Sequence, residues 1–117
     1  MHIGAEVQAF QAQKEAIKLR LTNADLPQKI AKIWLERGRS TEAKDMLELA
    51  LRARVAKEST QSQNRIEEFL KSAEALAGKP EELRQKFKEV LVKGNLAKED
   101  DWAANQYLDL LAAKSAE

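Results

Sequence analysis

At 117 residues the chain has the size of one domain, and 44% hydrophobic residues suffice for a core without cross-links. The absence of cysteine and a single histidine, His2, exclude disulfides, thiol catalysis, thiolate zinc sites and histidine-based triads. A net charge of +1 excludes global attraction to nucleic acid or membrane, and no apolar run approaches the roughly 20 residues that span a bilayer. With no signal-like apolar stretch at the N-terminus, a cytoplasmic location is expected.

Only four glycines and two prolines interrupt a chain rich in Ala, Leu, Glu, Lys, Gln and Arg, so helix is the starting expectation. Residues 5–21 place Val7, Phe10, Ile17 and Leu21 on one helical stripe, which Lys14 interrupts. Residues 17–22 also alternate apolar and polar, so a short strand there stays open. Asp25 is placed to cap a second helix with Pro27 in its first turn and Leu26, Ile30, Ile33 and Trp34 inward. Gly38 ends it, and Ser40 caps a third helix running to about residue 57, with Ala43, Met46, Leu47, Ala50 and Leu51 inward.

The polar stretch 59–64 either turns the chain or joins its neighbours in one long helix; Thr60 with Gln63 resembles a capping box and favours the turn. The fourth helix then buries Ile66, Phe69, Leu70, Ala73, Leu76 and Ala77, and Gly78 ends it. Pro80 opens a fifth, which buries Leu83, Phe87, Val90 and Leu91 before Gly94-Asn95. A sixth, over about 97–114, turns Trp102, Ala103, Tyr107, Leu110 and Leu111 inward. The fold expected is all-α: about six antiparallel helices in a compact helical-hairpin array or bundle. Residues 1–117 form a single domain, with 1–58 and 59–117 as its halves if it is bipartite.

Segments 38–54 and 78–94 superpose at a spacing of 40, each opening with Gly and carrying Glu four residues later (Glu42, Glu82). Ile30-Ala31, Trp34-Leu35, Gly38, Glu42-Ala43, Leu47 and Ala50-Leu51 together resemble a tetratricopeptide repeat. Ala31 stands where glycine is usual in that family and Leu47 where an aromatic is commoner. The resemblance implies a helical hairpin held close by small residues, with a groove for a protein partner. It places Lys29, Lys32, Arg37 and Arg39 at one end of that groove, toward an acidic segment. A second resemblance, to ribbon-helix-helix DNA-binding domains, starts from the alternation at 17–22 and has Lys18, Arg20 and Thr22 read base edges. In that pattern Ala50-Leu51 lies about two positions too far from Gly38.

Chemistry-bearing patterns are missing. No two glycines lie closer than 16 residues, so no phosphate-binding loop exists, and no Glu-x-x-His pair offers a bundle metal site. Glu81-Glu82 and Asp100-Asp101 read as charges at helix N-termini. No enzymatic activity and no cofactor are expected. Charge is uneven: residues 14–54 carry ten Lys/Arg against six acids, and 94–117 two Lys against five acids. The expected function is a non-catalytic interaction module, an adaptor, chaperone or accessory subunit that binds a protein partner. Its candidate contacts are Lys29, Lys32, Arg37, Arg39 and the aromatic anchors Trp102 and Tyr107, both offered as partly exposed. The alternative is a nucleic-acid-associated protein contacting phosphates through Lys18, Arg20, Arg37, Arg39, Arg52 and Arg54. No membrane contact is expected, and the purified chain is expected to be a monomer or a weak dimer.

Overall fold

A computed structural model describes residues 2–19 and 25–113, with side chains for 8–16 and 25–113. The described residues form six α-helices and no strand, so the protein is all-α. They are α1 (His2–Leu19), α2 (Asp25–Glu36), α3 (Ser40–Arg54), α4 (Thr60–Ala75), α5 (Pro80–Phe87) and α6 (Trp102–Ala113). Residues 17–19 are helical, so the strand alternative does not hold there; residues 20–22, Arg20 among them, lie outside the described residues.

The α2–α3 pair is the most extensive helix contact in the molecule. Ala31, Ala43 and Ala50 are fully buried, and Trp34 and Leu47 fill the space beside them. Small residues at the crossing let the two backbones approach, as the sequence pattern implies. Gly38 makes the turn with φ +72°, a left-handed value that glycine adopts without a Cβ penalty. Its N–H reaches the Leu35 carbonyl at 3.0 Å, and the Arg39 N–H reaches Trp34 at 2.9 Å, closing a Schellman motif. Ser40 is the first helical residue of α3, not its cap: the cap position is Arg39, which makes no side-chain cap bond.

Residues 55–59 turn the chain between α3 and α4, which removes the long-helix alternative. The cap is Ser59 and not Thr60: Ser59 Oγ accepts the Ser62 N–H at 3.2 Å. Gln63 Nε2 donates to the carbonyls of Ala56 and Glu58, at 3.3 and 3.2 Å, and so braces the turn. At the second glycine turn, Gly78 also has positive φ, but its N–H crosses to the Leu111 carbonyl of α6 at 3.2 Å. The two halves of the sequence repeat therefore close differently.

The fifth expected helix divides. After Phe87 the chain widens into one π-turn, Lys88–Val92, with the Lys93 N–H bonded to the Lys88 carbonyl at 2.9 Å. This keeps Val90 and Leu91 inward. The sixth helix starts at Trp102, not near 97, because Asp101 caps it: Asp101 Oδ2 accepts the Ala104 N–H at 2.9 Å. One core joins these elements. At one end Phe10 meets Trp34 edge-on at 5.5 Å; at the other Phe69 packs on Phe87 and Tyr107, at 6.3 and 6.1 Å.

Candidate interaction surface

Seven of the twelve residues in α2 are apolar or proline: Leu26, Pro27, Ile30, Ala31, Ile33, Trp34 and Leu35. That is more than one packing face absorbs. Pro27, Ala31 and Trp34 form the buried stripe, while Ile30 and Leu35 sit half-buried at its edges. Leu26 and Ile33 point to solvent, 48% and 49% exposed. The sequence pattern predicts both inward, and the structure places both outward. At 100° per residue they share one outer stripe, seven residues apart, beside the buried one. Which apolar stripe faces the core was decided by α1 and α3, which claim the Trp34 side. The excess of apolar residues on α2 was the signal for the second.

The basic candidates divide around this helix. Lys29 is exposed, three residues after Leu26 and four before Ile33, and makes no ion pair among the described residues. Lys32 extends the other way, its ammonium 5.1 Å from the centre of the Trp102 ring, which ties α2 to the start of α6. Arg37 and Arg39 flank the Trp34 indole, at 5.8 and 5.9 Å. Trp34 itself donates through Nε1 to Gln13 Oε1 at 3.3 Å, so α1 is latched onto the hairpin at this ring. Lys14 adds an ion pair to Asp45 of α3, 3.4 Å, and lies over Phe10, which explains a lysine on the α1 stripe. Arg39 pairs with Glu42 at 2.7 Å. Burial pushes the Glu42 carboxyl up, but the bonds from Arg39 and the backbone outweigh it and hold its pKa below the usual value.

Trp102 is half-buried, packed against the core and covered by Lys32. Tyr107 is a correction: it is fully buried and offers nothing to a partner. Its hydroxyl donates to Glu48 Oε2 at 3.0 Å, and burial followed by the Glu48 charge pushes its pKa far up. Glu48 also meets Lys44, which hydrogen-bonds Glu74 of α4. Burial pulls the Lys44 ammonium down, but these carboxylates more than compensate and raise its pKa.

The candidate phosphate contacts are dispersed and largely engaged. Arg52 grips Glu67 through two nitrogens, at 2.8 and 3.2 Å, which raises its pKa. Arg54 meets Asp101 at 2.7 Å. The Lys18 side chain lies outside the described residues, as does Arg20. A groove of about 380 Å³ runs between α3 and α4, lined by Lys44, Glu48, Arg52, Glu67, Leu70, Lys71 and Glu74. Its charges are mostly spent on each other, in the pairs just described. Among the described residues no three His, Asp or Glu side chains gather to hold a metal, and no helix is long and apolar enough to cross a membrane. Compared with known proteins, the chain matches no family model, no curated protein and no solved structure.

Proposed function

We propose that the chain is a non-catalytic helical interaction module of the cytoplasm, an adaptor, chaperone or accessory subunit, and that it binds its protein partner through the outer face of α2. The observation that carries this reading is the exposed pair Leu26 and Ile33 on a helix whose neighbouring stripe is already buried. Apolar side chains aligned on one helix face, with charges beside them, form the kind of ridge that helix-in-groove recognition uses. The α2–α3 pair, with its small residues at the crossing and Gly38 at the turn, supports the tetratricopeptide-type reading of this hairpin. The nucleic-acid alternative has less support, since Arg39, Arg52 and Arg54 are held by Glu42, Glu67 and Asp101. The turn at 55–59 supports a monomer when the chain is alone.

The test is affinity capture from a lysate of the source cells with the wild-type chain and with Leu26→Ser/Ile33→Ser. Both side chains are half exposed, so the double variant is expected to keep its fold, which circular dichroism verifies. A discrete set of proteins retained by the wild type and lost with the variant is the expected result. Equal retention by both chains contradicts the assignment of this face.

A further inference from the structure

We infer that α1 is a displaceable cover: it occupies a seat on the α2–α3 hairpin that a partner protein's helix takes when α1 lifts. The outer face of α2 plays no part in this. Of the side chains at 8–16, only Phe10 is buried. Gln13 and Lys14 are half-buried, and the other six point to solvent. By contrast, α3 buries seven side chains. Helices in proteins owe most of their stability to packing, and an element with few buried apolar side chains opens while the rest stays folded.

What holds α1 down converges on one spot. Phe10 meets Trp34 edge-on, Gln13 Oε1 accepts the Trp34 Nε1–H at 3.3 Å, and Lys14 pairs with Asp45 at 3.4 Å. Positions 10, 13 and 14 lie on one helix face. The two polar ties sit near the surface, where water replaces them at little cost when α1 lifts. Among the described side chains, one phenyl ring is then left to hold the helix. The seat stays built without α1, because Trp34 and Asp45 belong to the hairpin that Gly38 and the Arg39–Trp34 backbone bond close. Its pattern sets the chemistry of the occupant: a helix with an aromatic ring at i, a hydrogen-bond acceptor at i+3 and an ammonium at i+4. A second copy's α1 carries that pattern but competes with an identical helix tethered at high effective concentration. The occupant is therefore a partner's helix that fits the seat more tightly than α1 does.

The probe is a fluorescein-labelled peptide of residues 2–19, read by anisotropy against the full wild-type chain, Phe10→Ala and Lys14→Glu. Hydrogen exchange on the wild type accompanies it. Amides at 8–16 are expected to exchange at least about tenfold faster than those of α3. The peptide should bind both variants about tenfold more tightly than wild type, since each loosens its own α1 and frees the seat. Lys14 lies near the surface, so Lys14→Glu is expected to stay folded even if Phe10→Ala does not, and circular dichroism verifies each. Adding Asp45→Lys to the variant that folds should weaken the peptide about tenfold, and a Lys14→Glu peptide should regain the loss. Leu26→Ser/Ile33→Ser should take the peptide as wild type does; dependence on that pair moves the peptide to the outer face of α2 and overturns the inference. Equal protection of 8–16 and α3, or no gain in peptide binding on either variant, also overturns it and leaves the interaction reading standing.

Discussion

Replacing Asp101 by Ala removes two interactions at once, and their sizes can be worked out separately. As the cap of α6, Asp101 accepts the Ala104 N–H at 2.9 Å, and losing such a cap costs about 0.5–2 kcal/mol. Its second partner is Arg54, 2.7 Å away, with the two side chains only 19% and 17% exposed. An exposed pair contributes about 0.2–1 kcal/mol, while stranding one member of a buried pair costs about 3–5 kcal/mol. A mostly buried pair with a single shared nitrogen belongs between these limits, so Asp101→Ala should lose about 2–4 kcal/mol in all. Asp101→Ser separates the contributions, because serine caps a helix but cannot neutralise Arg54. Urea unfolding followed by circular dichroism should rank wild type above Asp101→Ser above Asp101→Ala. Arg54→Ala combined with Asp101→Ala should be non-additive, since both changes break one pair. A loss under about 0.5 kcal/mol for Asp101→Ala, within the range of ordinary surface changes, would refute the reasoning, as would strict additivity.

Further predictions address the core, the turn, the pH response and the outer face of α2. Leu47, fully buried between α2 and its own helix's neighbours, should cost about 2–5 kcal/mol as Leu47→Ala in the same unfolding assay. Gly38→Ala meets no neighbour within 4 Å but must hold φ near +72°, so it should lose about 1–2 kcal/mol through backbone strain alone. The Glu42 pKa is depressed in the folded chain, so its contribution is present above the unfolded value near 4.5 and is lost as pH falls through the folded one. Melting temperatures below pH 5 should therefore drop less steeply for Arg39→Gln than for wild type. Light scattering over a range of concentrations should show a monomer or a weak, concentration-dependent dimer; a concentration-independent dimer or larger ring contradicts the compact arrangement.

Much of the fold was legible because each helix announces itself locally. The three-and-four spacing of Ala43, Met46, Leu47, Ala50 and Leu51 named the buried face of α3, and Leu83, Phe87, Val90 and Leu91 named the inward residues of the fifth segment. Local pattern failed where a distant element decides. Leu26 and Trp34 are both apolar, and only the packing of α1 and α3 against Trp34 turns Leu26 outward. Tyr107 resembled an exposed anchor until Glu48, on another helix, took its hydroxyl. Asp101 looked like one more charge at a helix start; Arg54, far off in sequence, made it a partner as well as a cap. The π-turn at Lys88–Val92 had no glycine or proline within it to announce it. Of the candidate contacts, Lys29 is exposed beside Leu26 and Ile33, while Lys32 and Trp102 meet each other.

The claim that the outer face of α2 is the binding surface is tested most directly by site-specific photo-crosslinking in the source cells. A crosslinking side chain is placed at Ile33 and, in a separate protein, at Glu68, which is exposed on α4. The account predicts a crosslinked protein partner from Ile33 and none from Glu68. Crosslinks from Glu68 without any from Ile33 would contradict it.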